Sequence, residues 1–158
     1  MAENIIKIFL DSNVILSGLI SDKGSPRIIL DILSLKTTFI LGMTGEYNLI
    51  EIERNLIKKI PAAIPIYNEY ISKINFEIIK MPSLVEIKNH LGQTADKDVP
   101  VLVSALNGKA GYLITGDKKD FDKLKAEHNY IFKILNPSEF IQAIIPEILK
   151  TKSESYSD

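Results

Sequence analysis

Short apolar runs alternate with longer amphipathic stretches along this chain. Four runs rich in β-branched and aromatic residues predict buried β-strands, at residues 5–10, 37–43, 111–115 and 130–135. Between them, apolar residues recur at the spacing of an amphipathic helix. Strands that alternate with helices predict parallel βαβ units. We therefore expect an α/β fold, with a parallel four- or five-stranded sheet flanked by helices in three layers.

Capping residues and prolines mark where the intervening helices begin. Ser83 and Glu86 form a capping-box pattern, and Asn136 and Glu139 repeat it with Pro137 at the first helical position. Helices or helical turns are predicted at 12–20, from 25, from 44 to the proline at 61, at about 66–79, after 83, at 98–107, at 118–128 and from 136 to about 149.

Length and composition indicate one soluble globular domain. The chain has 158 residues, of which 46% are apolar and 25% are charged. It has no evident repeat or linker, so we expect a single domain over residues 1–150 and a flexible polar tail over residues 151–158. The formal net charge is −1, so nucleic-acid binding must be local or mediated by a metal. The absence of Cys, signal-peptide pattern and long apolar run favours a cytoplasmic location without membrane contact.

Four acidic residues from distant parts of the chain are expected at one edge of the sheet. Asp11 and Asp117 each follow a predicted strand, and open α/β sheets bind ligands at the carboxyl ends of their strands. Asp98 begins a helix that feeds the next strand, and Glu51 lies in the second turn of the helix after strand two. Each acid alone is also explained as a cap, turn or exposed residue. Gathered carboxylates repel one another without a cation, and their oxygen atoms suit Mg²⁺ or Mn²⁺.

The order of these acids resembles that of the PIN-domain (PilT N-terminal) ribonucleases, particularly the group with toxin components. The family's first motif resembles IFLDSNV at residues 8–14, its second LIEIE at 49–53 and its third KDVPV at 97–101. The fourth motif resembles LITGDKKDF at 113–121, and the closing segment of that group resembles FKILNPSEF at 132–140. The resemblance implies a single PIN-like domain.

The resemblance also implies roles for individual residues. The catalytic, metal-binding acids would be Asp11, Glu51, Asp98 and Asp117. Supporting positions that hold carboxylates or bound waters would be Asn13 and Thr115, with Asp96 and Asp120 joining through water. Glu53 or Glu46 stays open as an alternative to Glu51, because helix register is not read to one residue from sequence.

The activity that this resemblance implies is hydrolysis of RNA phosphodiesters with one or two Mg²⁺ or Mn²⁺ ions. Lys118 and Lys119, together with Lys23, are candidates to contact the RNA backbone, although such lysines are commonly just solvated. Relatives include toxins held by a small antitoxin protein, and family members often form homodimers. An antitoxin and a second copy of this chain are therefore expected partners. The Ile-rich stretch at 71–79 could supply an apolar surface for dimerisation, although such isoleucines more commonly pack in the core.

Two other functions stay open. A phosphatase of the haloacid-dehalogenase type would use Asp11 as its nucleophile, but that chemistry requires a second Asp where this chain has Asn13. A non-catalytic PIN-like module that binds RNA or protein would share the same scaffold. Metal-dependent cleavage distinguishes the ribonuclease from such a module.

Overall fold

A parallel sheet of five strands forms the centre of the protein, and helices pack on both of its faces. The computed structural model describes residues 5–121 and 132–156. The strands are β1 Ile6–Leu10, β2 Ile40–Gly45, β3 Glu77–Ile79, β4 Tyr112–Ile114 and β5 Lys133–Leu135. They lie in the order β3-β2-β1-β4-β5, and each neighbouring pair is parallel. This is the three-layer α/β architecture that the sequence predicts.

Helices connect the strands. In the described residues they are α1 Ser12–Ile20, α2 Ser25–Ser34, α3 Glu46–Lys59, α4 Ile64–Ile74, α5 Leu84–Asn89, α6 Val99–Asn107 and α7 Pro137–Tyr156. Short 3-10 turns occur at Pro61–Ala63, Asp96–Asp98 and Lys118–Phe121. Among these helices, none has both the length and the apolar character needed to cross a bilayer.

The central strand β1 separates two hydrophobic cores, because successive side chains of a strand point to opposite faces of the sheet. Ile8 and Leu10 pack into one core, together with apolar side chains of α1, α2, α3, α4 and α7. Phe9 packs into the other, together with Phe121 and the inward face of α6. Helix α6 thus lies across the sheet from α3, and both begin near the carboxyl edge of the strands.

Two predictions about secondary structure were wrong on the β3 side of the sheet. The segment predicted as helix to residue 79 ends at Ile74, because Asn75 adopts a left-handed conformation with φ 56°, and residues 77–79 form β3 instead. Isoleucines at helical spacing over residues 71–79 hid this strand. The second strand runs from Ile40 to Gly45 and not from residue 37 to 43, because it pairs with Ile6 at one end and with β3 at the other.

The two capping boxes predicted from sequence are both formed. Ser83 and Glu86 bond each other's backbone N–H groups at the start of α5, and Asn136 and Glu139 do the same at the start of α7. Helix α7 continues to Tyr156, beyond the end expected near residue 149. The flexibility of the tail stays a prediction. The predicted helix at 118–128 and strand at 130–135 lie partly outside the described residues.

Candidate functional site

Strand register brings the ends of β1 and β4 together at the carboxyl edge of the sheet. Leu10 pairs with Ile114, so the residues that follow them leave the sheet side by side. The backbone N–H of Asp11 donates to the Ile114 carbonyl at 2.9 Å, which extends the pairing by one residue. Asp11 and Thr115 therefore meet although 104 positions separate them in sequence.

Asp11 is a buried carboxylate with its oxygens held from several sides. It is the N-cap of α1, where its Oδ1 accepts a 2.8 Å hydrogen bond from the Ser12 backbone N–H. Oδ1 also accepts a 3.2 Å bond from the Asn48 side-chain amide, and Oδ2 accepts a 2.8 Å bond from the Thr115 hydroxyl. Only 5% of the residue is exposed to solvent.

Burial raises the pKa of the Asp11 carboxyl from its ordinary value of 3.8 to about 6. The hydrogen bonds from Thr115 and Ser12 oppose this effect, whereas the negative charges of Glu51 and Asp98 add to it. The pKa of the Tyr47 phenol is also raised, mainly by burial and in addition by the negative charges of the same two carboxylates. The site is thus an acidic environment in which an added cation would be stabilised.

The four predicted acids line one cavity of about 150 Å³. Asp11 comes from the end of β1, Asp117 follows β4, Asp98 immediately precedes α6, and Glu51 lies in the second turn of α3. The cavity is also lined by Ser12, Asn13, Leu16, Asn55, Lys97 and Val101. The topology therefore brings the four carboxylates to the same edge of the sheet.

The other acids on α3 are engaged elsewhere. Glu46 accepts a 2.8 Å hydrogen bond from the Met81 backbone N–H, and Glu53 accepts a 3.2 Å bond from the Tyr67 hydroxyl. Neither residue lines the cavity, whereas Glu51 does. Of the three glutamates considered for the second acid, Glu51 is therefore the one that lies with the other carboxylates.

Asn13 and Thr115 connect Asp117 to the rest of the site. The Asn13 side-chain amide donates to Asp117 Oδ2 at 2.9 Å, and its oxygen accepts from the Gly116 N–H at 2.9 Å. The Thr115 hydroxyl, which donates to Asp11, accepts from the Asp117 N–H at 3.1 Å. Both polar residues thus contact a carboxylate of the cavity.

The remaining candidate residues either do not line the cavity or have side chains that the structure does not describe. Asp96 and Lys119 are exposed and do not line the cavity. The side chains of Lys118 and Asp120 are not among those that the structure describes. Lys97 lines the cavity beside the carboxylates, although the sequence analysis did not single it out.

Two further residues missed by the sequence analysis stabilise the site. Asn48 is fully buried on the inner face of α3, one turn before Ile52, and its amide contacts Asp11. The Tyr47 hydroxyl donates to the Lys97 carbonyl at 3.2 Å, which ties α3 to the turn that precedes α6. The signal for Asn48 is a polar residue in phase with the buried positions of an amphipathic helix.

The candidate ligands in this cavity are carboxylate oxygens, which are the type of ligand that hard divalent cations prefer. In residues 5–121 and 132–156, no group of three or more His, Asp or Glu residues is close enough to surround one metal ion. Mg²⁺ usually keeps several water ligands and takes only one or two carboxylates directly. Carboxylates that share a small cavity without converging on one point suit that mode of binding.

Comparisons with known proteins identify the fold. The chain has a TM-score of 0.62 and 17% identity with a VapBC2 structure from Rickettsia felis bound to a DNA fragment from its promoter, over 83% of this chain and 98% of the other. VapBC-1 from nontypeable Haemophilus influenzae gives 0.59 and 15%, over 84% and 99% of the two chains. DNA-bound VapBC from Salmonella typhimurium gives 0.60 and 14%, over the same shares. No family model and no curated protein matches the sequence.

Proposed function

We propose that this PIN-like domain is a metal-dependent endoribonuclease that acts as the toxin of a toxin–antitoxin pair. The observation that carries the proposal is the arrival of four carboxylates, from four separated segments, in one cavity at the carboxyl edge of the sheet. The fold shared with VapBC toxin–antitoxin complexes supports the same function.

The acids Asp11, Glu51, Asp98 and Asp117 would hold one or two Mg²⁺ or Mn²⁺ ions. Such ions neutralise a phosphodiester, activate a water nucleophile and stabilise the leaving oxygen. The chain itself supplies orientation: Thr115 holds one oxygen of Asp11, and Asn13 holds one oxygen of Asp117. These neutral donors restrict the carboxylates to defined rotamers without adding charge that would compete with the cation.

The protein offers little positive charge of its own to an RNA backbone. Its net charge is −1, and Lys97 is the only basic residue among the described residues that line the cavity. Substrate binding would therefore depend on the metal. Lys97, together with Lys118 and Lys119 that follow Asp117 in sequence, would add contacts to the RNA backbone that do not depend on base sequence. Cleavage should consequently show weak sequence preference unless RNA structure limits access.

The proposal includes a protein partner and a cellular location. An antitoxin that covers the acidic cavity would keep the enzyme inactive, and the VapBC complexes with the same fold support such a partner. A homodimer and a cytoplasmic location are further parts of the proposal. They agree with the exposed apolar side chains of the surface and with the absence of Cys from the sequence.

The test is cleavage of a mixed RNA pool by the purified protein, with Mn²⁺ or Mg²⁺ against EDTA. Asp11→Asn should abolish cleavage, whereas Asp22→Asn, in an exposed loop outside the cavity, should cleave like the wild type. Cleavage that persists in Asp11→Asn or in EDTA would contradict the proposal. RNA binding without cleavage in a protein that binds metal would favour the non-catalytic module.

A further inference from the structure

Asn48 lies where two parts of the acidic site meet. It is in the first turn of α3, three residues before Glu51, and none of its surface is exposed. Its side-chain amide donates to Asp11 Oδ1 at 3.2 Å and to the Ser12 hydroxyl at 2.9 Å. Both hydrogens of the amide are therefore used within the segment that starts α1.

Burying the polar side chain of Asn48 costs desolvation free energy, which an apolar residue would not incur. An apolar residue in phase with Ile52 and Leu56 would extend the inner face of α3 without the cost of desolvating an amide. The side-chain oxygen of Asn48, Oδ1, accepts no hydrogen bond from any described residue. The side-chain oxygen thus lacks a hydrogen bond, while the amide nitrogen donates to the Asp11 carboxylate and the Ser12 hydroxyl.

The space around the amide is fixed by Gly45. A Cβ atom at this glycine would lie 2.9 Å from the Asn48 oxygen and 3.1 Å from the Ser104 hydroxyl oxygen. Gly45 has φ −99°, which any residue adopts, so its small size and not its backbone conformation suits this position. Any larger residue would push the Asn48 amide out of place.

We propose that Asn48 is a positioning residue that holds the Asp11 carboxylate in the orientation used for cation binding, and that Gly45 provides the space for its amide. This inference rests on the proposed function, because it concerns the same acidic site. Together with Thr115 on the other oxygen, Asn48 restricts both ends of the carboxylate. Partners of this kind in metal sites commonly contribute about 10–100-fold in metal affinity.

The test compares Mn²⁺ binding by the wild type and Asn48→Leu, which keeps a side chain of similar shape and removes the donors. Calorimetric titration should show binding weakened at least about tenfold, while the variant stays folded by circular dichroism. Ile52→Val, one turn later on the same buried face, is the matched control and should bind Mn²⁺ like the wild type. Binding by Asn48→Leu within about twofold of the wild type would overturn the inference.

A second variant and a second measurement separate this inference from the proposed function. Gly45→Ala keeps Asn48 but displaces its amide, and it should weaken Mn²⁺ binding in the same direction; unchanged binding would refute the role given to Gly45. If the wild type binds no Mn²⁺, the proposed function fails. Crystal structures of the wild type and Asn48→Leu then decide the positioning role: a rotated Asp11 carboxylate supports it, and an unmoved one overturns it.

Discussion

Replacing the buried Asp11 carboxylate with an amide should remove a pH-dependent destabilisation of the metal-free protein. The pKa of Asp11 in the folded state is about 6, against an ordinary value of 3.8. A carboxyl whose pKa is higher in the folded state binds its proton more tightly there, so folding becomes less favourable as the pH rises through the interval between the two values. The shift corresponds to roughly 3 kcal/mol of unfolding free energy lost above pH 6.

Asp11→Asn removes this penalty because an amide does not ionise. The substitution also disturbs the hydrogen bond from Thr115, whose preference for the ionised carboxylate is already included in the pKa of about 6. The difference in unfolding free energy between the variant and the wild type should therefore shift in favour of the variant by about 3 kcal/mol between pH 3.5 and pH 7. Its value at low pH reports the hydrogen-bond change alone.

Urea denaturation in EDTA at several pH values measures this difference. Asp22→Asn, which changes an exposed loop carboxylate, is the control for general effects of charge and should show a much smaller shift. Excess Mg²⁺ at pH 7 should then stabilise the wild type more than Asp11→Asn, because ligand binding to the folded state adds to its stability. A difference that stays flat with pH, or that falls as the pH rises, would refute the burial and repulsion ascribed to Asp11.

Three further substitutions test the structure around the site and elsewhere in the fold. Thr115→Val should lower the unfolding free energy by about 1–3 kcal/mol in urea titrations, because Asp11 Oδ2 loses its buried donor, and no loss would show that this bond is unimportant. Ser83→Ala should cost about 1 kcal/mol by the same assay through loss of the capping box of α5, whereas Ser72→Ala, at an exposed position within α4, serves as the control. Leu56→Ala should cost about 2–5 kcal/mol, because it opens a cavity beneath α3, and a loss below 1 kcal/mol would contradict the packing described there.

The sequence predicts the fold well where local signals agree with tertiary structure. The strands around Phe9 and Leu113 are short apolar runs that end in turn-forming residues, and in both capping boxes the paired residues are three positions apart. Strand β3 was missed because its three residues continue the helical spacing of the preceding isoleucines. Its existence depends on pairing with β2, which no local pattern encodes.

The sequence predicts the site residues that lie at the ends of strands and helices. It is less informative about the polar residues that hydrogen-bond to them. Asp11 and Asp117 follow strands that must be parallel, so topology alone brings them near each other. Glu51 is distinguished from Glu46 and Glu53 only by tertiary contacts, because Glu51 lines the cavity while the other two bond Met81 and Tyr67. Asn48 was not predicted because its role depends on which side of α3 faces Asp11. The sequence does not determine the rotation of a helix to within one residue.

The most direct test of the acidic site is Mn²⁺ titration of the wild type, Glu51→Gln and Glu53→Gln. The two glutamates lie on the same helix and carry the same charge, but only Glu51 lines the cavity, while Glu53 bonds Tyr67. We predict that Glu51→Gln binds Mn²⁺ at least about tenfold more weakly than the wild type and that Glu53→Gln binds it equally well. Equal binding by all three proteins, or weaker binding by Glu53→Gln alone, would contradict the assignment of this cavity as a metal site.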